Sequence, residues 1–127
     1  MKRMRPFIEL SGGLLVGILI ASVTVASPPP FRITIEGWAP YFSPKSAVVP
    51  MYTPIRWENP TATHHTITHD NCGKPNGACA FDSGPVPPDG VYELPGLEPG
   101  EYPYHCTLHP IMRGILVVTK GTMATKI

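Results

Sequence analysis

Tyr104-His105-Cys106-Thr107-Leu108-His109-Pro110-Ile111-Met112 is the stretch on which the reading of this chain turns. Residues 101–106 alternate so that Tyr102, Tyr104 and Cys106 share one face of an extended segment. Pro110 enforces a turn a few residues later. Period-two patterning resumes over residues 114–120, with Leu116 and Val118 opposed to Ile115, Val117 and Thr119. Two strands joined by a tight loop would therefore present a thiol, an imidazole and a thioether around one point. Cys106, His109 and Met112 follow one another at intervals of three residues.

The same short-strand grammar extends upstream. Residues 31–36 set Phe31, Ile33 and Ile35 against Arg32, Thr34 and Glu36. Residues 37–44, with Trp38, Tyr41 and Phe42, read as a loop, and residues 47–51 and 54–58 as short strands. His65, Ile67 and His69 fall on one face of an extended segment, and His64, Thr66 and Thr68 on the other. Residues 71–90 read mostly as loop with a short strand near Phe81, residues 91–94 as a strand, and residues 97–100 as a turn. The chain has 17 Pro and 12 Gly, which suits an all-β domain with many turns. Nothing after residue 30 has helical periodicity, and there is no internal repeat or nucleotide-binding glycine pattern.

The N-terminus has a different character. Lys2, Arg3 and Arg5 precede an apolar stretch over residues 10–26, and Thr24-Val25-Ala26 offers a small-residue cleavage site. Residues 1–26 are thus a signal peptide or an uncleaved N-terminal membrane anchor, since about 17–25 apolar residues span a bilayer. An uncleaved form would associate with the membrane through residues 7–26. Residues 27–30 (Ser27-Pro28-Pro29-Pro30) are a stiff spacer, and residues 31–127 form one domain. Both readings place that domain outside the cytoplasm, periplasmic or otherwise extracytoplasmic. The formal net charge is +1, of which residues 1–26 supply +2, so the domain is near neutral. It has no basic stripe to bind nucleic acid.

A thiolate, imidazoles and a thioether are the donor set of a type 1 copper centre, in which two His and one Cys lie in a plane and a Met is weakly axial. The second imidazole must come from elsewhere in the chain. His65 is favoured over His64 because it shares a face with Ile67, which should point into the core. Each residue also has a plainer reading. Cys106 could be a small buried hydrophobe and Met112 ordinary core packing. His105 alternates away from Cys106 and reads as a surface or supporting residue. Cys72 and Cys79 enclose a flexible loop, and in an exported protein a disulfide is the default. Such a closure stabilises by about 2–3 kcal/mol on the chain-entropy model. The competing reading joins them with His69 in a second thiolate metal site.

From Phe42 onward the chain resembles the plastocyanin and amicyanin branch of the cupredoxins. Phe42-x-Pro44, the segment Pro54-Ile55-Arg56-Trp57-Glu58-Asn59 ahead of His65, and Gly100-Glu101-Tyr102-Pro103-Tyr104-His105-Cys106 with its Cys-x2-His-x2-Met loop carry the likeness. It implies a Greek-key β-sandwich of about eight strands with one type 1 copper ion held by His65, Cys106, His109 and Met112. It further implies an electron-transfer protein, not an enzyme, whose redox partner proteins dock near a solvent-edge His109 ringed by Leu108, Pro110 and Ile111. Thr66 and Asn59 are the expected supporting donors around the thiolate. The chain departs from the family pattern in having His64 where Pro is common, Thr66 where Asn is common, and a Cys72/Cys79 loop without a family counterpart. A copper carrier or storage protein of the same fold is the alternative. A binuclear copper site would need two cysteines in the ligand loop, and the remaining histidines do not form an all-His enzyme site.

Overall fold

A computed structural model describes residues 2–4 and 11–121. Arg5, the first residue of the apolar stretch, residues 7–10 of the membrane-associating segment and the last six residues of the domain lie outside the described residues. Residues 11–30 carry no helix or strand, and among the described residues no helix is long and apolar enough to cross a membrane.

Eight strands follow: β1 Phe31–Glu36, β2 Tyr41–Ser43, β3 Ser46–Pro50, β4 Ile55–Glu58, β5 Thr68–His69, β6 Val91–Leu94, β7 Gly100–His105 and β8 Arg113–Thr119. They form two four-stranded sheets, ordered β2-β1-β4-β6 and β3-β8-β7-β5. Both sheets are mixed, because β1 runs parallel to β4 and β3 parallel to β8 while the other pairs are antiparallel. The fold is an all-β sandwich.

Alternation builds the core. Ile33 and Ile35 of β1, Ala47 and Val49 of β3, Ile55 and Trp57 of β4, and Leu116 and Val118 of β8 are all buried, as every second residue of a sheet packed on one face must be. Trp57 and Tyr104 join the sheets at the centre: their rings meet edge-on at 5.7 Å, and Trp57 Nε1 donates to Tyr104 Oη at 3.3 Å. That bond satisfies the indole N–H in a place water does not reach. Burial raises the Tyr104 pKa, so the phenol stays neutral.

Two expectations need correction. Residues 37–44 are not wholly loop, because β2 pairs with β1 through Ile35↔Phe42. Three residues are too few to show alternation, but the edge position lets Phe42 be fully buried. Residues 64–69 also do not alternate cleanly. His65 through His69 are all buried, and only Thr68 and His69 are strand. Residues 81–86 explain this by covering the side opposite β7. His65 bridges Val86, Thr68 bridges Asp82, and Ser83 N–H donates to Ile67 O.

β1 and β4 both run toward one end of the sandwich, where β7 ends and β8 begins. β7 and β8 approach closely there because Gly114 lies opposite Tyr104. A Cβ at 114 would lie 2.8 Å from Tyr104 Cε1 and closer still to Cζ and Oη. Gly114→Ala should therefore cost about 1–3 kcal/mol through overpacking, read as a lower urea midpoint with unchanged slope. A native midpoint would show that the ring can move aside.

Candidate metal centre

Three ligating side chains converge where β7 gives way to the loop before β8. The Nδ1 atoms of His65 and His109 lie 3.9 and 3.7 Å from Cys106 Sγ, and one ligand atom of each residue falls within 4.8 Å of the others. The two imidazole rings are 4.8 Å apart. Cys106 is fully buried, His65 nearly so, and His109 partly exposed.

Backbone geometry brings Cys106 and His109 together. Met112 N–H donates to His109 O at 2.8 Å, and Cys106 N–H donates to Met112 O at 3.0 Å, so residues 106–112 close on themselves. Met112 is buried in the core at the end of this loop. The base of the loop is stapled by Asp70. One carboxylate oxygen pairs with His105 Nδ1 at 2.5 Å and the other with Arg113 Nη1 at 3.3 Å. His105 and Arg113 are register partners on β7 and β8, so a single side chain spans the two stems. His105 thus faces Asp70 and not the Cys106 cluster.

His65 is supplied by the chain after β4 and is locked by its surroundings. The Asn59 amide nitrogen lies 2.8 Å from Thr63 O, 3.0 Å from Val86 O and 3.1 Å from Pro87 O. Its Oδ1 accepts from the Thr61 amide and, at 2.6 Å, from the Thr61 hydroxyl. Asn59 Oδ1 and Thr63 O both face the Thr61 hydroxyl as acceptors for its one proton, so Thr61 Oγ1 accepts from His65 Nε2, 3.0 Å away. Thr63 Oγ1 lies 2.9 Å from the same nitrogen. Nε2 therefore carries the ring proton, and the Nδ1 lone pair is turned toward Cys106. Burial first, and then the neighbouring His109 and His64, lower the His65 pKa. Each favours the neutral ring that can ligate a metal.

The sulfur has its own donor. Thr66 N–H points at Cys106 Sγ from 3.2 Å. The expectation that Thr66 supports the thiolate finds a direct contact, while Asn59 acts at one remove through Thr61 and the loop carbonyls. Sequence reading alone missed Thr61, Thr63 and Asp70. A threonine two residues before a histidine, or an acid distant in sequence, gives no pattern until the fold brings them together.

His64 is exposed and outside the cluster. Cys72 and Cys79 form a disulfide with an S–S distance of 2.03 Å, and the neighbouring His69 takes the Ala80 N–H on Nδ1. Those residues do not assemble a second thiolate site. The donors at the main cluster, two imidazole nitrogens and one sulfur converging without a carboxylate, suit a soft or borderline transition metal and not a hard cation.

Asn59→Ala should remove the side-chain donor shared by Thr63 O, Val86 O and Pro87 O, leaving each with one other donor, and should free the Thr61 hydroxyl. A loss of about 2–3 kcal/mol is expected in urea unfolding of metal-free protein, together with weaker metal retention in a chelator competition. Native stability would mean that water takes over the role of the carboxamide.

No family model and no curated protein matches the chain. Solved structures do. A reduced, Cu(I) form of an amicyanin variant at pH 4 is 26% identical, with a TM-score of 0.62 over 74% of this chain and 86% of that one. An oxidised amicyanin variant is 27% identical, with a TM-score of 0.61 over 71% of this chain and 82% of that one. A purple cupredoxin from Nitrosopumilus maritimus is 27% identical, with a TM-score of 0.60 over 70% of this chain and 99% of that one. The chain is similar in fold to amicyanin and to a purple cupredoxin, and its mixed two-sheet sandwich with a His–Cys–His cluster at the mouth of the β7–β8 loop is consistent with a cupredoxin.

Proposed function

We propose that this protein is a type 1 copper electron carrier that works outside the cytoplasm, with one copper ion per chain. The observation that carries the reading is the convergence of His65 Nδ1, His109 Nδ1 and Cys106 Sγ within 4.8 Å. Copper bound there supplies one-electron chemistry between Cu(I) and Cu(II).

The protein's part is to keep the donors still through that change. Cys106 contributes the thiolate, the strongest donor of the set. His65 is the inner ligand, with its ring proton tied to Thr61 and Thr63. Met112, buried at the loop's end, would add a weak thioether donor. His109 is the outer ligand because it alone of the three clustered residues is partly exposed. The locked His65 side favours retention of the metal, which suits an electron carrier better than a copper carrier that must release its cargo. A copper enzyme with a second, all-His site would need a ligand pattern that His64, His69 and His105 do not form.

Residues 1–26 are read as a signal peptide or membrane anchor, residues 27–30 as a spacer and residues 31–127 as the cupredoxin domain. That organisation, with a disulfide in the domain, fits a periplasmic or other extracytoplasmic setting. Redox partner proteins would dock over His109. Leu108 is 51% exposed and Ile111 90% exposed, with Pro110 exposed between them. An apolar rim of this kind permits brief contacts of low specificity.

Copper-loaded oxidised protein should absorb intensely in the visible through sulfur-to-copper charge transfer, and Cys106→Ser should abolish the band. A strong band retained in that variant would remove Cys106 from the ligand set.

Leu108→Glu touches no ligand and should leave the spectrum in place. It should slow electron self-exchange, because two copies would bring like charges together, and added salt should restore part of the rate. NMR line-broadening measures this. An unchanged rate would mean that electrons leave by another face.

A further inference from the structure

A chain of hydroxyl groups runs from the metal centre to a carboxylate at the surface. It begins at the two residues that follow ligating positions, Thr66 after His65 and Thr107 after Cys106. Thr107 N–H donates to Thr66 Oγ1 at 2.8 Å, and the two hydroxyl oxygens are 3.1 Å apart. Thr68 Oγ1 lies 3.0 Å from Thr66 Oγ1 and 3.1 Å from Asp82 Oδ1. The same Asp82 oxygen accepts Gly84 N–H at 3.1 Å. Thr66 and Thr68 are buried, whereas Asp82 reaches solvent. Asp82 follows the disulfide-closed segment and is bridged to Thr68 through the backbone.

The Thr68 hydroxyl is the donor toward Thr66 Oγ1 and also faces Asp82 Oδ1, so its single proton lies between two acceptors. Thr66 Oγ1 accepts the Thr107 N–H as well. Asp82 and Thr66 together hold the Thr68 side chain in one rotamer, and Thr68 in turn fixes the position of Thr66.

We propose that Asp82 is a positioning residue of the metal centre: it fixes the Thr68 hydroxyl where that group donates to Thr66 Oγ1, and so holds the Thr66 N–H on the Cys106 sulfur. Asp82 touches none of the ligating atoms and acts only through the threonines. The redox consequence rests on the copper reading given above, while the geometric consequence does not. A hydrogen bond to a ligating sulfur draws electron density from it and favours the reduced metal. Loosening that bond therefore favours the oxidised state.

The test uses two readouts. In metal-free protein, Asp82→Ala and Thr68→Val should each speed hydrogen exchange of the Thr66 and Thr107 amides severalfold, while β8 amides keep their native rates. The double variant should exchange no faster than either single one, because both changes cut the same chain. Asp82→Asn should stay near native, since its carboxamide oxygen still accepts from Thr68. In copper-loaded protein, Thr68→Val should lower the reduction potential. Native exchange in Asp82→Ala, effects that multiply in the double variant, or a native potential in Thr68→Val would each overturn the proposal. Unmodified protein that takes up copper without an intense visible band would defeat the copper reading instead, and the exchange measurements would still decide the role of Asp82.

Discussion

A sulfur that must ligate as an anion is buried completely, and the architecture at this end of the sandwich answers that constraint. An unpaired thiolate in an apolar interior is costly, so Cys106 needs positive charge and donors around it. The Thr66 amide provides one donor, and a metal held by the two facing Nδ1 atoms would provide the charge. Thr66 and Cys106 belong to segments forty residues apart, so the contact exists only if both arrive in register. β5 pairs with β7 through Thr68↔His105 and sets that register. A slip by one residue would turn the His65 and Cys106 side chains away from each other.

The two histidines are held in different ways. His65 is enclosed by a polar lattice in which Asn59 orders Thr61, and Thr61 and Thr63 order the ring. No comparable lattice surrounds His109 among the described residues; its loop is closed by backbone bonds and its neighbours are exposed apolar side chains. Rigidity is concentrated on the inner ligand and accessibility on the outer one. The staple of Asp70 across His105 and Arg113 extends the rigid side to the base of the loop without covering its tip.

Much of this could be read from the chain. Period-two runs over residues 31–36 and 114–120 pointed to β1 and β8 because one face of each strand is buried and the other is not. Cys106 and His109 were legible as a pair because they are local in sequence. His65 was legible through its parity with Ile67, although the alternation that justified it holds only against His64, since residues 65–69 are buried on both sides. β2 was not legible, because three residues at a sheet edge carry no periodic signal. Nor were Thr61, Thr63 or Asp70, whose roles depend on contacts between segments 35 residues apart or on side-chain rotation. Short-range spacing reveals donors; the orientation of those donors belongs to the tertiary structure.

The segment closed by Cys72 and Cys79 gains meaning from its flanks. On one side it begins at Asp70, which staples the ligand loop; on the other it ends at Asp82, whose carboxylate meets Thr68. Its outer strand-like stretch covers residues 65–69 and hides the face that would otherwise meet water. A short disulfide loop limits the unfolded conformations of the eleven-residue excursion between the two acids, so both carboxylates are delivered with less entropy to overcome. On this view the insertion is not an ornament on the sandwich. It supplies the polar half of the metal centre's support, while the sheets supply the apolar half, and the His65 segment is clamped between them.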